Sequence, residues 1–505
     1  MIEHHSPQEC AQWLHSRVTG VLHTDSRKVK TGDGFIAWPG AITDGRQYVA
    51  QALLQGASAC IVEKNGLSKY AMCDEHAIAC YSNLKSATGL IAAEYYEHPT
   101  QSVDVIAITG TNGKTSSAWW LAQALSLAKT TPPKNCGMVG TLGIGQPPLS
   151  NDKSDQSSSI VMTGLTTPDP VLLQQEFRNF VNANFAACAI EASSIGLAEN
   201  RLDGTVIKVA VFTNFTQDHL DYHGSMDAYW QAKLKLFFWP SLQAAVINID
   251  DPKGRELLTV LEHHAVELWS ISITGPARLR AHDICYVENG LQFNVTEDGA
   301  THRIRTSMIG NYNVSNILGV IAAMRAIGVE LSASVEACQL LTPVPGRMDC
   351  VSQFGYPSVV IDYAHTPDAL ENALKTLRYM ADQRQGRLVC VFGCGGNRDA
   401  SKRPLMASIA EKYADTILVT SDNSRNENPT IIFNQILSGF SEKASADLVP
   451  DRAQAIARSI SVAGINDVIL IAGKGHENYQ EIAGEKHFFS DKEHALSALS
   501  RRSPQ

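Results

Sequence analysis

Four short apolar runs in the last third of the chain, SVVID, LVCVFG, TILVTS and DVILIAG, are separated from one another by helical stretches. Each breaks at once into a polar or glycine-rich loop: DYAHTPD, GCGGNRD, SDNSRNENP and GKGHENYQ. No other feature restricts the fold as much. Strands alternating with helices build a parallel sheet, because each crossover helix carries the chain back to the edge from which the strand began. All four loops then leave one edge, and in open α/β sheets ligands bind beyond the carboxyl ends of the strands. The loop SDNSRNENP, with its single Arg425, therefore reads as a wall of a binding pocket and not as a solvated turn.

The same alternation fills the preceding stretch from VDVIAIT onward. Strands AACAIEA, KVAVFTN and AAVINID alternate with helices SSAWWLAQALSLA, DAYWQAKLKLFF and NILGVIAAMRAIG. Residues 283–309 read as an antiparallel meander, and 147–159 as a polar, mobile loop. The first hundred residues mix short strands (GFIAW, ACIVE), one clear helix (YVAQALLQGA) and the turn-rich TDSRKVKTGDG. The proline-rich joint TPVPGR marks the last boundary. The expectation is an α/β chain of three domains, 1–100, 101–342 and 343–505, a division that 505 residues accommodate.

A net charge of −9 argues against nucleic-acid binding, whose footprint is usually basic. Eleven cysteines make no C-x-x-C pair, so zinc ribbons and thiol redox motifs are not expected. Neither a leader-like N-terminus nor a run of 18 apolar residues is present, and a reduced, cytoplasmic protein without a membrane segment is expected.

VIAITGTNGKTSSAWW is strand, glycine-rich loop and helix. Gly110 and Gly113 permit the tight turn and the close backbone approach that a phosphate needs. Lys114 offers a point charge, and Thr115 a hydroxyl for Mg²⁺. The spacing G-x-x-G-K-T is shorter than the usual G-x-x-x-x-G-K-[ST], yet every physical part of a nucleotide loop is there. Glu191 ends a buried strand. FTNFTQDHLDYHG ends another and carries Asp218, His219, Asp221 and His223. Zinc hydrolysis competes as a reading, since His219 and His223 stand at H-x-x-x-H spacing, but no third His or Cys ligand set at zinc-like spacing accompanies them, and Mg²⁺ shared with phosphates fits better. Lys233 has Tyr229, Trp230, Leu236 and Phe237 as neighbours on its helix face. Such company disfavours the charged amine, and a neutral amine can take up carbon dioxide as a carbamate. A lysine snorkelling from a core-facing helix satisfies the same spacing.

Taken together, HTDSRKVKTGD, GTNGKTSSA, TTPD, EASSIGL, FTNFTQDHLDYHG, the AKLKLF lysine, GNYNVSN, PGRMD, DYAHTPDALENAL, FGCGGNRDASKRP, DNSR and GKGHENYQ resemble the Mur ligase family over almost the whole chain. The resemblance is closest to the branch that adds meso-diaminopimelate to UDP-N-acetylmuramoyl-L-alanyl-D-glutamate. It implies an ATP-dependent amide ligase of cytoplasmic peptidoglycan precursor synthesis, working through an acyl phosphate. The implied architecture is a small N-terminal α/β domain for the UDP-substrate, a central P-loop-type α/β ATPase domain and a C-terminal Rossmann-like domain for the amino acid.

By the same resemblance Gly110, Thr111, Asn112, Gly113, Lys114, Thr115 and Ser116 cradle ATP. Asn316 and Arg347 contact the nucleotide, and Asp362 lies near its ribose. Thr115 and Glu191 bear on one Mg²⁺, and His219 and a carbamylated Lys233 on a second. Lys114, Glu191, His219 and Lys233 are the implied catalytic set. Ser26, Thr166, Thr167, Ser193 and Arg201 match contacts to the UDP-muramoyl peptide. Arg398, Asp422, Asn423, Ser424, Arg425, Gly473 and Glu477 match the amino-acid site. There Arg425 would hold the distal carboxylate that diaminopimelate has and L-lysine lacks, and Glu477 suits the distal ammonium.

Three positions depart from the family pattern: Ala41 where a histidine is usual, Glu199 where a glutamine is common, and Ser424 in place of proline. Competing readings are the same ligation with L-lysine, a folylpolyglutamate synthase-type ligase, a nucleotide switch and a metal hydrolase. The folylpolyglutamate type should lack the D-S-R block and the GKGHE loop, and a switch should carry an N-K-x-D signature. A monomer without nucleic-acid partners is expected.

Overall fold

In the computed structural model, residues 2–40, 43–70, 76–150, 160–287, 290–351, 355–441 and 446–502 are described. Ala41 and most of the polar loop read at 147–159 lie outside them.

Three sheets follow one another along the chain, with a separate two-stranded hairpin. The first has the order Ile2–Glu3, Ile78–Tyr81, Ala59–Glu63, Gly34–Ala37, Leu22–His23, every pair parallel. Its central strands are buried throughout, as parallel strands covered on both faces must be. Besides the helix Val49–Leu54, helices Pro7–His15 and Leu84–Tyr95 pack on it, two elements the sequence reading omits.

The second sheet has ten strands. At its centre Ile207–Phe212, Asp104–Thr109, Ala187–Glu191 and Cys136–Gly140 run parallel. Helices Lys114–Leu127 and Asn311–Ala326 cover one face through Trp120, Leu121, Ile317 and Ile321. Pro170–Asn182, Met226–Leu234 and Pro252–Leu261 cover the other through Phe177, Trp230 and Leu257. The expected meander is three strands, Leu279–Val287, Gly290–Glu297 and Ala300–Thr306. Its first strand joins the main sheet in parallel with Glu267–Ser272.

In the third sheet the order is Asp349–Val351, Ser358–Asp362, Val468–Ala472, Leu388–Phe392, Thr416–Val419, Ala446–Leu448. The four strands read from the sequence are all present, and they end level. Asp362 and Phe392 both pair with Ala472, and Phe392 pairs with Val419. Their four loops therefore leave one edge side by side.

That edge faces the second sheet. Asn112 Nδ2 donates to Asp368 Oδ2 at 2.9 Å, Gln217 Nε2 to Asp399 Oδ2 at 3.0 Å, and Tyr286 stacks on Tyr379 at 4.4 Å. The first sheet's end is tied on by Arg178, which donates to the carbonyls of Tyr96 and Glu97. No helix among the described residues is long and apolar enough to cross a membrane.

Candidate functional site

A cleft of about 950 Å³ lies between the second and third sheets. One wall is the loop from Gly110 to Ser116. Gly110 has φ +147°, and a Cβ there would lie 1.9 Å from Thr213 Oγ1; Gly113 has φ +85°, and a Cβ there would lie 2.5 Å from Asn316 Oδ1. Only bare backbone fits. Helix Lys114–Leu127 begins at Gly113 with no side-chain cap, so its first N–H groups are left for an anion. These features fit a nucleotide phosphate.

Two lysines converge on one carbonyl. Lys114 Nζ donates to Gly110 O at 2.9 Å and Thr111 O at 2.8 Å, and Lys233 Nζ donates to Gly110 O at 2.7 Å. Lys233 is 1% exposed and lies 4.5 Å from the Tyr229 ring centre. Burial, with the Lys114 ammonium beside it, pushes its pKa well below the usual lysine range, overcoming the opposing charge of Asp218. Of the two states weighed from the sequence, this is the surrounding of a desolvated amine and not of a snorkelling one. The remaining atoms of its helix explain why: Trp230 and the following turn with Phe237 seal that face into the core.

Glu191 is wholly buried. Its Oε2 accepts from Thr115 Oγ1 at 3.0 Å and its Oε1 from Thr141 N at 2.7 Å. Burial raises its pKa, and Lys114 and these hydrogen bonds oppose the rise. Among the described residues no three His, Cys, Asp or Glu side chains form a ready-made metal cage. The Glu191–Thr115 oxygen pair fits a hard cation that takes its other ligands from phosphate and water.

Arg347 reaches in from the second boundary. Its Nη2 donates to Thr115 Oγ1 at 3.2 Å, its guanidinium lies 4.3 Å from the Tyr363 ring, and its buried Nε has no partner among the described residues. Asn316 donates to Asn313 Oδ1 at 3.1 Å beside the loop. Asp362 Oδ2 accepts from Met348 N at 2.7 Å, and burial raises its pKa.

Next to Glu191 stand four of the five residues expected to meet the UDP-muramoyl peptide. Thr167 Oγ1 donates to Glu191 O at 2.7 Å and lies 2.9 Å from Ser193 Oγ. Arg201 Nη1 donates to Thr167 O at 2.9 Å, and Thr166 Oγ1 lies 3.1 Å from Thr141 Oγ1. Ser26 stands apart, buried at the start of the single turn Ser26–Lys28 against the first sheet and outside the cleft lining. Glu199 is paired with Lys85 and accepts from the Tyr222 hydroxyl.

On the opposite wall, Asn423 Nδ2 donates to Glu477 Oε2 at 2.8 Å. Gly473 has φ +117°, and a Cβ on it would lie 2.6 Å from Asp422 Oδ2. Ser424 is buried, and Arg425 lines the cleft. Arg398 Nη1 lies 3.5 Å from Asp221 Oδ2, across the divide. Glu477 already holds an ammonium, that of the fully buried Lys474, at 3.0 Å.

Sequence reasoning missed Lys474, and it left Asp218 without a role. Asp218 is the hub between the two sheets: 3.4 Å from His219 Nε2, 3.8 Å from His365 Nε2 and 3.9 Å from Lys402 Nζ. Burial acts to raise its pKa, but the hydrogen bond and charge of His365, with His219 and Lys402, hold the carboxyl well below its usual range. Its Oδ1 also accepts from His219 N at 2.9 Å, fixing that residue at φ +55°. Burial pushes the His219 ring down to about 3 against the pull of Asp218, so it stands neutral and able to ligate.

The description "Mur ligase family, catalytic domain" matches residues 19–96, "Mur ligase middle domain" residues 108–324, and "Mur ligase, glutamate ligase domain" residues 346–475. A protein of Acidovorax sp. (strain JS42), named UDP-N-acetylmuramoyl-L-alanyl-D-glutamate--2,6-diaminopimelate ligase, is 56% identical over 98% of this chain and 97% of its own. The chain belongs to the Mur ligase family. A Mur ligase of the same name from Janthinobacterium sp. (strain Marseille) is 47% identical over 95% of this chain and 94% of its own. A solved structure with that name superposes with TM-score 0.61 at 33% identity, covering 95% of this chain and 94% of its own. MurF from Thermotoga maritima in complex with ADP superposes with TM-score 0.66 over 97% of this chain and 98% of its own; at 17% identity it attests the shared fold alone.

Proposed function

We propose that this Mur ligase joins meso-diaminopimelate to UDP-N-acetylmuramoyl-L-alanyl-D-glutamate, with ATP cleaved to ADP and phosphate. The observation that carries the reading is one cleft with a phosphate loop on one wall and Arg425 on the other. Names borne by relatives up to 56% identical point the same way. On this reading residues 1–100 bind the UDP-sugar, 101–342 bind ATP and 343–505 bind the amino acid, in the cytoplasm. The enzyme acts as a monomer.

Gly110 to Ser116 receive the phosphates, with Asn316, Arg347 and Asp362 toward the nucleoside. Thr115, Glu191, His219 and a carbamylated Lys233 would hold Mg²⁺, which when bound neutralises phosphate charge. Thr166, Thr167, Ser193 and Arg201 steady the peptide, and Ser26 the nucleotide sugar at the first sheet. The peptide's terminal carboxylate oxygen takes the γ-phosphoryl group, releasing ADP and leaving an acyl phosphate. The amino-acid amine then attacks the acyl carbon, the C–N bond forms, the C–O bond to phosphate breaks, and the amine gives up a proton. Holding both reactants in line supplies much of the rate. Arg398, Asp422, Asn423, Ser424, Gly473 and Glu477 frame the amino acid, and Arg425 pairs with its distal carboxylate. Bound L-lysine would leave that arginine desolvated and unpaired.

A folylpolyglutamate synthase-type activity ranks lower, since the D-S-R block and the GKGHE loop are both present. The test is phosphate release in a substrate panel. Release should require ATP, the UDP-dipeptide and an amino acid together, with meso-diaminopimelate far ahead of L-lysine and L-ornithine. Equal rates with L-lysine would overturn the assignment of the amino acid, and release with ATP alone would overturn ligation.

A further inference from the structure

Arg425 sits at φ +51°, in the left-handed region, where a residue with a Cβ is strained by about 1–2 kcal/mol. Ser424, unlike proline, does not restrict the chain before it. Something else must hold the arginine, and the structure identifies it as the hairpin Tyr479–Ile482 and Glu485–Phe488.

Three successive hairpin residues bind the loop. Gln480 Nε2 donates to Ser421 Oγ at 2.8 Å and Asp422 O at 3.2 Å. Glu481 N donates to Asn423 Oδ1 at 3.0 Å. Ile482 forms a parallel bridge with Arg425: Arg425 N donates to Glu481 O at 3.0 Å, and Ala483 N donates to Arg425 O at 2.7 Å. The guanidinium is placed as well. Its Nη1 donates to Gly396 O at 2.8 Å, and its Nε lies 3.6 Å from Glu481 Oε2. Among the described residues nothing hydrogen-bonds its Nη2. Arg425 lines the cleft and Glu481 does not, so the glutamate stands behind the arginine and not against a ligand.

We infer that Glu481 is a positioning residue for amino-acid selection, holding the inner edge of the Arg425 guanidinium so that its outer end meets the distal carboxylate. This rests on the reading above that Arg425 receives that carboxylate. A guanidinium fixed before the ligand arrives loses less freedom on binding, so affinity for the diacid gains. A glutamate that merely decorated the rim would change none of the ligand constants.

The test is steady-state kinetics of the full chain with Glu481→Ala, Glu481→Gln, Arg425→Ala and the double variant Arg425→Ala/Glu481→Ala. Glu481→Ala should raise KM for meso-diaminopimelate about 3- to 5-fold, the size a partly exposed ion pair is worth. Its kcat and its KM for ATP should stay within about twofold, and the poor use of L-lysine should not change. Glu481→Gln keeps an oxygen acceptor and should recover most of the loss. In the Arg425→Ala background Glu481→Ala should add nothing, because its effect runs through the arginine. An unchanged KM in Glu481→Ala, or the same increment with and without Arg425, overturns the inference while leaving the function standing. An unchanged diaminopimelate KM in Arg425→Ala overturns the assignment of the distal carboxylate to Arg425, and the inference with it.

Discussion

Replacing Arg452 by methionine tests whether the edge that carries the amino-acid loops is held by one buried charge pair. Arg452 and Asp491 side chains are both 0% exposed. The pair is bidentate, Nε to Oδ1 at 2.7 Å and Nη2 to Oδ2 at 2.8 Å. The same guanidinium donates to Ser421 O at 3.2 Å and Ala472 O at 2.9 Å, the carbonyls just before Asp422 and Gly473. Arg452→Met leaves a carboxylate buried without its partner, and one strand-end and one loop carbonyl short of a donor. Breaking a buried pair in this way costs about 3–5 kcal/mol. In a unit of roughly 160 residues that is a fall of about 6–20 °C in melting temperature. The assay is calorimetry of the intact chain, following the transition of the third sheet, beside urea unfolding. Arg452→Met/Asp491→Leu removes the stranded charge and should regain at least half of the loss, since an apolar replacement of both partners is far cheaper than removing one. A loss below about 1 kcal/mol for the single variant, or no recovery in the double, would refute the reasoning.

Three further outcomes follow from the cleft and the first sheet. Gly113→Ala should raise KM for ATP about tenfold, because φ +85° strains any Cβ and this one meets Asn316 Oδ1 at 2.5 Å; unchanged ADP affinity would contradict the cradle. Lys233→Ala should cut phosphate release by about 100-fold or more, with partial rescue by added small carboxylates, and a wild-type rate would mean that the lysine only fills space. Asp44 is held at about 2 by its hydrogen bonds to Arg46, with burial opposing and the Tyr70 hydroxyl helping. Its folded value is below the unfolded 3.8, so its contribution is present above that pH and is lost as pH falls through about 2. Solvent screening limits the contribution to about 1 kcal/mol. Asp44→Asn should therefore be less stable than wild type in urea at pH 7, and the gap should close by pH 2.

Most strands with both faces covered were legible, because VIAI, ACAI and VILIA are unbroken apolar runs, but the equally buried Cys136–Gly140 was not, since Gly137 and Gly140 interrupt its run. Helix Leu84–Tyr95 was not, for a physical reason. It starts after Asn83 at φ +57° with no side-chain cap, so it carries no start signal. The phosphate loop could be read because its parts are contiguous. The Asp218 hub could not, since His365 and Lys402 come from the third sheet, and only folding brings them within 4 Å. Lys474 hides similarly: one partner is three residues away, but the other, Asn423, is 51 residues back. Glu481 gives no sign in the sequence that it will stand behind Arg425.

The order of the third sheet bears on how the enzyme is made. Val468–Ala472 lies between Ser358–Asp362 and Leu388–Phe392, yet it leaves the ribosome last of the three. Until it inserts, two strands made about eighty to a hundred residues earlier each wait with an open edge, the kind of surface that recruits other chains. The loop after Ser358–Asp362 comes level with the loop after Leu388–Phe392 only through register with that strand. A chain cut short before residue 468 would thus lack more than its final loop, having no middle to its sheet.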